Sequence, residues 1–435
     1  MPKPKIKSPK KIGKSGKKKQ FGSVGGMSDI LPKESALWKA IWNAGESVSD
    51  LHNFHFINTP IVERVALFEH GIGKGTPLVD NGLYTFKAKN QDMLSLRPEG
   101  TVSLMRSYLE HQLGRFSSPL RVYYYGPMYR YGGKGDSHQF YEWGYNIIGD
   151  GDSFYDAGII VAFLDFLSLL GFKNPILKIN AVGCKVCRPT YSKKLKEYYR
   201  RHKKDICDDC RANYAENPVL LLNCLETKCK ERAQKTPIIL NYLCQSCNNH
   251  LKNLLELIED NEINYIPDPL LPPPSLYFSR VVFKICAGEE DDEAIVSGGR
   301  YDYLSERIGG RPLQATGGVL HVDRIMNKMK ELGISGKPKK NRRVFFVAAG
   351  EMAKKSSLSV MRSLRENGII TIEAFNKKSL NAQLRAANRN NAPLILIYGQ
   401  KEVFEKKIMI REVESSSQES ILLEKMVEEV KRRLR

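Results

Sequence analysis

The chain has no apolar run long enough to cross a bilayer. Its longest, Gly158 to Phe172, is broken by Asp165, whereas a spanning helix needs about 20 apolar residues. No apolar stretch follows the N-terminal lysines, which excludes a secretory signal, and no arginine-bearing amphipathic face precedes them, which excludes a transit peptide. The first 28 residues contain no acid. Outside Cys184–Cys247 there is a single cysteine, Cys286, and no internal repeat is visible. These absences predict a soluble, cytoplasmic protein with no membrane partner.

What is present is basic and otherwise ordinary. Apolar residues make up 42% of the 435 positions and charged residues 27%, enough for a sizeable core in two or three domains. Lys and Arg number 68 against 48 acids, for a net charge of +20. Nearly half of that excess is nine lysines in the first 28 residues, spaced by Pro, Gly and Ser without apolar periodicity. Residues 1–21 therefore read as a disordered lysine-rich tail. A polyanionic partner is the reading that such an excess favours.

Eight of the nine cysteines fall in pairs: Cys184 and Cys187, Cys207 and Cys210, Cys224 and Cys229, Cys244 and Cys247. A C-x2-C pair lets two thiolates converge on one ion, and two pairs complete a tetrahedral sulfur shell. With no secretion signal, this spacing favours structural Zn2+ over disulfides, and eight ligands make two sites. Which pairs share an ion is open at this point. The cysteine-rich block, 184–259, reads as a mainly helical insertion.

Around it, the periodicity predicts a helix from Glu34 to His52, strands over Leu120–Gly126 and Gln139–Ile148, and a helix over Phe154–Leu170. Strands resume at Val281–Ile285, Ala294–Gly298 and Gly317–Leu320. A polar linker, Lys337–Asn341, precedes alternating strands and helices from Val344 onward, with a last helix over Ser420–Leu434. Alternation of this kind predicts a small α/β domain with a mixed sheet.

Several short segments carry chemistry: Arg97-Pro98-Glu99-Gly100-Thr101, Gly126-Pro127-Met128-Tyr129-Arg130, Gln139-Phe140, Gly298-Gly299-Arg300-Tyr301-Asp302, and Gly317-Gly318 before Asp323-Arg324. An arginine fork beside glycine-rich turns suits a nucleotide triphosphate folded over a sheet. The order of these segments resembles class II histidyl-tRNA synthetases. So do Gly26-Met27-Ser28-Asp29-Ile30-Leu31-Pro32 and Thr59-Pro60, the latter in the family's first class motif. The resemblance covers about residues 22 to 435, and the cysteine-rich block resembles an insertion of some bacterial members.

The resemblance implies an α+β catalytic domain with an antiparallel sheet over 22–336, the helical Cys-rich insertion within it, and a C-terminal α/β anticodon-binding-like domain over 343–435. It implies a histidine–tRNA ligase that condenses histidine with ATP, assisted by Mg2+, and passes the product to tRNA(His), working as a homodimer. Arg130 and Arg324 are then the catalytic arginines, at the α- and γ-phosphates. Glu99, Thr101, Glu142, Tyr277 and Arg300 are the substrate-binding residues, with Glu99 and Thr101 at the substrate ammonium. Lys377, Lys378 and Arg385 are candidate tRNA phosphate contacts.

Some positions depart from the family's pattern. Pro273 stands where the family has an arginine, Phe278 replaces a tyrosine, Asn146 a glutamate, Glu142 a glutamine and His321 a glycine. The loop after Arg130 is shorter than usual and keeps only Lys134 and His138 as basic residues. The alternative function is a synthetase-like protein that binds RNA or senses a ligand without aminoacylating. A regulatory subunit of a histidine-biosynthesis transferase is disfavoured by the extra C-terminal domain.

Overall fold

The computed structural model describes residues 21–434 apart from 133–136, 225, 290, 335–342, 378 and 391. The lysine tail up to residue 20, Lys134, Lys378 and the linker Lys337–Asn341 lie outside the described residues. The chain divides into two compact units between Gly336 and Lys337.

The first unit is organised by an eight-stranded sheet. Its order is His55–Phe56, Leu120–Tyr129, Gln139–Ile148, Ala315–His321, Ala294–Arg300, Ser279–Cys286, Ile176–Gly183 and Tyr265–Pro267. The two edge strands pair in parallel with their neighbours, and the six central strands are antiparallel. Side chains two apart share a face, so each strand supplies two cores. Tyr123, Trp143, Tyr145, Ile147 and Phe283 pack with Ile41, Val48, Phe163 and Phe166 on one side. Val122, Tyr124, Met128 and Val282 pack with Val102, Leu104 and Met105 on the other. A smaller sheet, Val62–Arg64, Met93–Leu96 and Thr85–Lys87, lies beside the first class motif.

Helix Ser153–Leu170 forms where expected and contains most of the apolar run noted above. Its 18 residues are long and apolar enough, by length and composition, to cross a bilayer. Ile159, Ile160, Phe163, Phe166 and Leu167 are instead buried in the sheet's core. Asp152 caps it, accepting a hydrogen bond from the Phe154 amide, and Gly171 ends it at φ +95°, where glycine alone is unstrained.

Between strands Ile176–Gly183 and Tyr265–Pro267 the chain forms helices Cys187–Arg201, Asp208–Asn213, Thr227–Ala233 and Gln245–Asp260. The first three, with the short turns around them, build a core of their own from Tyr191, Leu195, Tyr199, Ile206, Leu221 and Ile239. The last lays Leu254 and Ile258 on the main core.

The second unit has a five-stranded mixed sheet in the order Ile370–Glu373, Arg343–Ala349, Leu394–Gly399, Lys407–Glu412, Gln418–Leu422. The first three strands are parallel and the last two antiparallel. Helices Glu351–Glu366 and Met426–Arg433 cover one face through Val360, Leu364, Met426 and Val430, and Ala387 packs on the other. One expectation is corrected here: Ser420–Leu434 is not a single helix. Its first residues belong to a strand, with Ser420 opposite Met409 and Leu422 opposite Lys407. A helix begins only at Met426. Ser416 sits at φ +55° in the turn that folds this strand back, and sheet pairing overrides the helical spacing there.

Candidate active site

Two glycines, Gly317 and Gly318, form the floor of a cavity in the first unit, with two more beside them. Gly298 lies opposite Gly318, and Gly299 opposite Gly317, on adjacent strands. A Cβ on Gly317 would lie 2.4 Å from Asn146 Oδ1, and one on Gly298 would lie 2.5 Å from the Gly317 carbonyl. Side chains are excluded there, which leaves backbone exposed for a flat ligand. Around this floor stand Glu99, Thr101, Arg130, Glu142, Tyr277, Phe278, Ser297, Tyr301, His321 and Arg324.

Each of these is held by local structure. The Glu99 carboxylate accepts hydrogen bonds from the amides of Thr101 (3.1 Å) and Val102 (2.8 Å), at the start of helix Thr101–Glu110. The Tyr277 hydroxyl donates to it at 3.1 Å. Burial pushes the Glu99 carboxyl up, against the pull of those donors and of Arg130. Glu142, on strand Gln139–Ile148, is also buried, and its carboxyl is pushed up to about 7 by desolvation and by Glu99, with Arg130 and Arg97 opposing. The Arg130 guanidinium lies 3.8 Å from Glu142, donates to the Pro98 carbonyl at 2.9 Å and covers the Phe140 ring at 4.9 Å. With 40% of its side chain exposed, it is free to meet an incoming anion. Arg324, on helix Val322–Glu331, donates to the Ala294 carbonyl at 2.7 Å and lies 3.2 Å from Glu293.

His321 sits 3.0 Å from the Ser297 hydroxyl. Burial, then the charges of Arg324 and Arg130, push its imidazole down to about 3, so it is neutral at pH 7. It therefore adds a hydrogen-bonding ring to the cavity without adding charge.

Of the residues expected to bind substrate, Glu99, Thr101, Glu142 and Tyr277 line this cavity, as do Arg130 and Arg324. Arg300 does not, and its expected role is corrected. Its side chain is fully buried, with its donors spent on Asp156 (2.8 Å), Asp302 (3.3 Å) and the carbonyls of Asp150 and Asp152 (both 3.0 Å). It locks strand to helix behind the floor. Asn146 is not among the lining residues, but it shares a strand face with Glu142, and its Oδ1 accepts from the hydroxyl of Tyr301, which lines the cavity, at 2.7 Å. Pro274 and Ser275 face the cavity, whereas Pro273 lines a neighbouring hollow against the insertion.

Arg97 has a role that the sequence pattern did not reveal. Buried, it donates to the Thr59 carbonyl (2.9 Å), the Thr59 hydroxyl (3.1 Å) and the Pro127 carbonyl (3.1 Å). It thus ties together three of the short segments. Its position directly before Pro98-Glu99 was the only available signal.

The eight paired cysteines gather into two groups, Cys184, Cys187, Cys244 and Cys247, and Cys207, Cys210, Cys224 and Cys229, with each group's sulfurs mutually within 4.8 Å. Sulfur–sulfur separations of 3.7 Å occur in both. Four sulfurs tetrahedrally placed about 2.3 Å from zinc lie roughly 3.8 Å apart, so both groups fit that ion. Backbone amides point at the sulfurs, Cys244 to Cys187 at 3.0 Å and Cys207 to Cys229 at 3.2 Å, as suits thiolates.

Comparison with known proteins agrees with this geometry. The family profile described as histidyl-tRNA synthetase matches residues 26–325, and the one described as anticodon binding domain matches residues 343–433. The histidine–tRNA ligase of Natranaerobius thermophilus is 33% identical over 412 residues, covering 93% of this chain and 97% of its own. That of Thermosipho melanesiensis is 34% identical over 401 residues, covering 92% and 95%. The crystal structure of apo S. aureus histidyl-tRNA synthetase superposes with a TM-score of 0.79 at 27% identity, covering 95% of this chain and all of that one.

Proposed function

The chain belongs to the histidyl-tRNA synthetase family, and from that premise we propose how the residues of its cavity serve a histidine–tRNA ligase. The reaction joins the histidine carboxylate to the α-phosphorus of ATP, releases pyrophosphate, and transfers the histidyl group to the 3′ end of tRNA(His). The observation that carries this reading is a single cavity that collects two arginines, two buried carboxylates and a side-chain-free floor.

Arg130 meets the α-phosphate and Arg324 the γ-phosphate, where fixed positive charge stabilises the transition state. Glu99, Glu142 and Thr101 hold the substrate ammonium, and the Tyr277 hydroxyl orients Glu99. Magnesium, bound together with ATP, would supply further neutralisation of phosphate charge. Relatives with this activity along nearly the whole chain weigh against the non-aminoacylating alternative.

Each four-cysteine group holds one structural zinc, which organises the insertion. The enzyme is cytoplasmic and homodimeric. Support for the dimer comes from Phe56, Ile61, Val62, Phe86 and Met93, exposed apolar residues around the first class motif and the small sheet. The second unit holds the tRNA, and the lysine tail adds salt-sensitive affinity for it.

The test is histidine-dependent ATP–pyrophosphate exchange by the purified protein. Absence of exchange, with ATP still bound, would sink the ligase reading, and dependence on another amino acid would revise the substrate.

A further inference from the structure

Arg188 belongs to the insertion, yet its side chain is spent on the catalytic unit. It directly follows Cys187, and its amide donates to the Cys184 carbonyl at 3.0 Å, so the first cysteine group sets its backbone. Its guanidinium donates from Nε to the Val182 carbonyl at 3.1 Å, from Nη1 to the Leu276 carbonyl at 3.3 Å, and from Nη2 to the Phe278 carbonyl. Its donors thus go to backbone carbonyls, two of which flank Tyr277. Tyr277 in turn holds Glu99 in the cavity, and Phe278 lines the same cavity.

The segment it grips cannot hold itself. Pro272, Pro273 and Pro274 supply carbonyls but no N–H, so this loop has acceptors in excess of donors. Its own backbone bonds are Leu271 N–H to the Asp268 carbonyl (2.9 Å) and Phe278 N–H to the Ser275 carbonyl (3.2 Å). Asn180 adds bonds to the carbonyls of Pro269 (3.2 Å) and Leu271 (2.8 Å), at the loop's other end. On the cavity side, Arg188 takes the carbonyls of Leu276 and Phe278.

The second cysteine group provides an internal control. Arg211 directly follows Cys210, as Arg188 follows Cys187. Its guanidinium donates to the carbonyls of Lys203 and Ile206, both at 3.2 Å, and both within the insertion.

We infer that Arg188 is a positioning residue for the amino-acid side of the active site, through which the first cysteine group, unlike the second, sets substrate affinity. The inference rests on the ligase reading above. It acts along one line: Cys187, Arg188, the carbonyls of Leu276 and Phe278, Tyr277, Glu99.

The experiment uses the full-length protein and three variants: Arg188→Met, which keeps the stem and removes the donors, Arg188→Lys, which restores a cation, and Arg211→Met. Pyrophosphate exchange gives KM for histidine, KM for ATP and kcat, and a thermal melt reports folding. In Arg188→Met, KM for histidine rises at least tenfold while KM for ATP stays within twofold. Arg188→Lys recovers part of that loss, and Arg211→Met leaves both KM values within twofold of wild type. If Arg188→Met does not fold, Arg188→Lys carries the test, with a three- to tenfold rise in KM for histidine alone.

An unchanged KM for histidine, an equal rise for both substrates, or an equal effect of Arg211→Met overturns the inference. Loss of exchange in the wild-type protein overturns the ligase reading itself. Wild-type exchange with an indifferent Arg188 overturns only this inference.

Discussion

The two cysteine groups share a ligand set and a C-x2-C-Arg signature, but they live in different surroundings. Cys207, Cys210, Cys224 and Cys229 sit with Tyr199, Ile206 and Leu221 in a core that belongs to the insertion alone. Cys184, Cys187, Cys244 and Cys247 sit where strand Ile176–Gly183 leaves the main sheet, and Tyr303 of the catalytic unit packs against them. The Tyr303 hydroxyl accepts from the Lys185 amide at 3.3 Å, and Lys185 covers the Tyr303 ring at 4.3 Å. On the inference above, the same four-cysteine arrangement stabilises a domain in one place and tunes a substrate pocket in another. The neighbours of each cysteine group decide which, because the strain of an opened group travels only through packed contacts.

The comparison can be broken or sharpened by experiment. The largest effect calibrates the rest: Arg130→Ala removes the proposed α-phosphate contact and should lower kcat for pyrophosphate exchange by about 10²–10³-fold. Next, Cys247→Ser opens the first group. Because a displacement of about 1 Å near a reacting centre can cost about 10²-fold, exchange should fall by about that factor. Cys210→Ser opens the second group and should lower the melting temperature more than the exchange rate of the folded protein. Equal kinetic losses from the two would erase the distinction. Metal analysis should find two zinc ions per wild-type chain and one in either variant; less than one in the wild type refutes zinc.

A pH profile separates the pocket from its supports. Glu142 faces Arg130, Glu99 and Tyr124, and its carboxyl titrates near pH 7. The ionised form is the one that holds an ammonium, so affinity is present above that pH and lost as pH falls through it. KM for histidine should rise by up to about tenfold per unit below pH 7. Glu142→Gln should remove this carboxylate's contribution to the rise. Arg211→Met, at the second cysteine group, should keep the wild-type profile. The smallest effect belongs to Tyr277→Phe. Losing one hydrogen bond to Glu99 is worth about 0.5–1.5 kcal/mol, a rise of roughly two- to tenfold in KM for histidine. A larger effect than that of Arg188→Met would mean that Tyr277, rather than the loop's placement, carries the coupling.

The sequence by itself determined much of this protein. Period-two alternation in Gln139–Ile148 marked a central strand, and the apolar run around Ile159–Phe166 marked a core helix, because burial imposes those periods locally. The short segments around Glu99, Arg130 and Arg324 named the family and most of the cavity wall. Spacing marked eight cysteines as candidate metal ligands, since paired thiolates can converge with only two to four residues between them.

Tertiary structure decided the rest. Which cysteine pairs join depends on closure over distances of some 60 residues, from Cys184 to Cys244, which no local pattern encodes. Arg300 carries a site-like signature, Gly-Gly-Arg, yet three-dimensional packing delivers it to Asp156 behind the floor. The strand at Gln418–Leu422 needed a neighbour, Lys407–Glu412, before it could cease to look helical. Arg188 and Arg211 are indistinguishable along the chain. Only the carbonyls that the fold sets before each guanidinium make one a support of the active site and the other a support of its own domain.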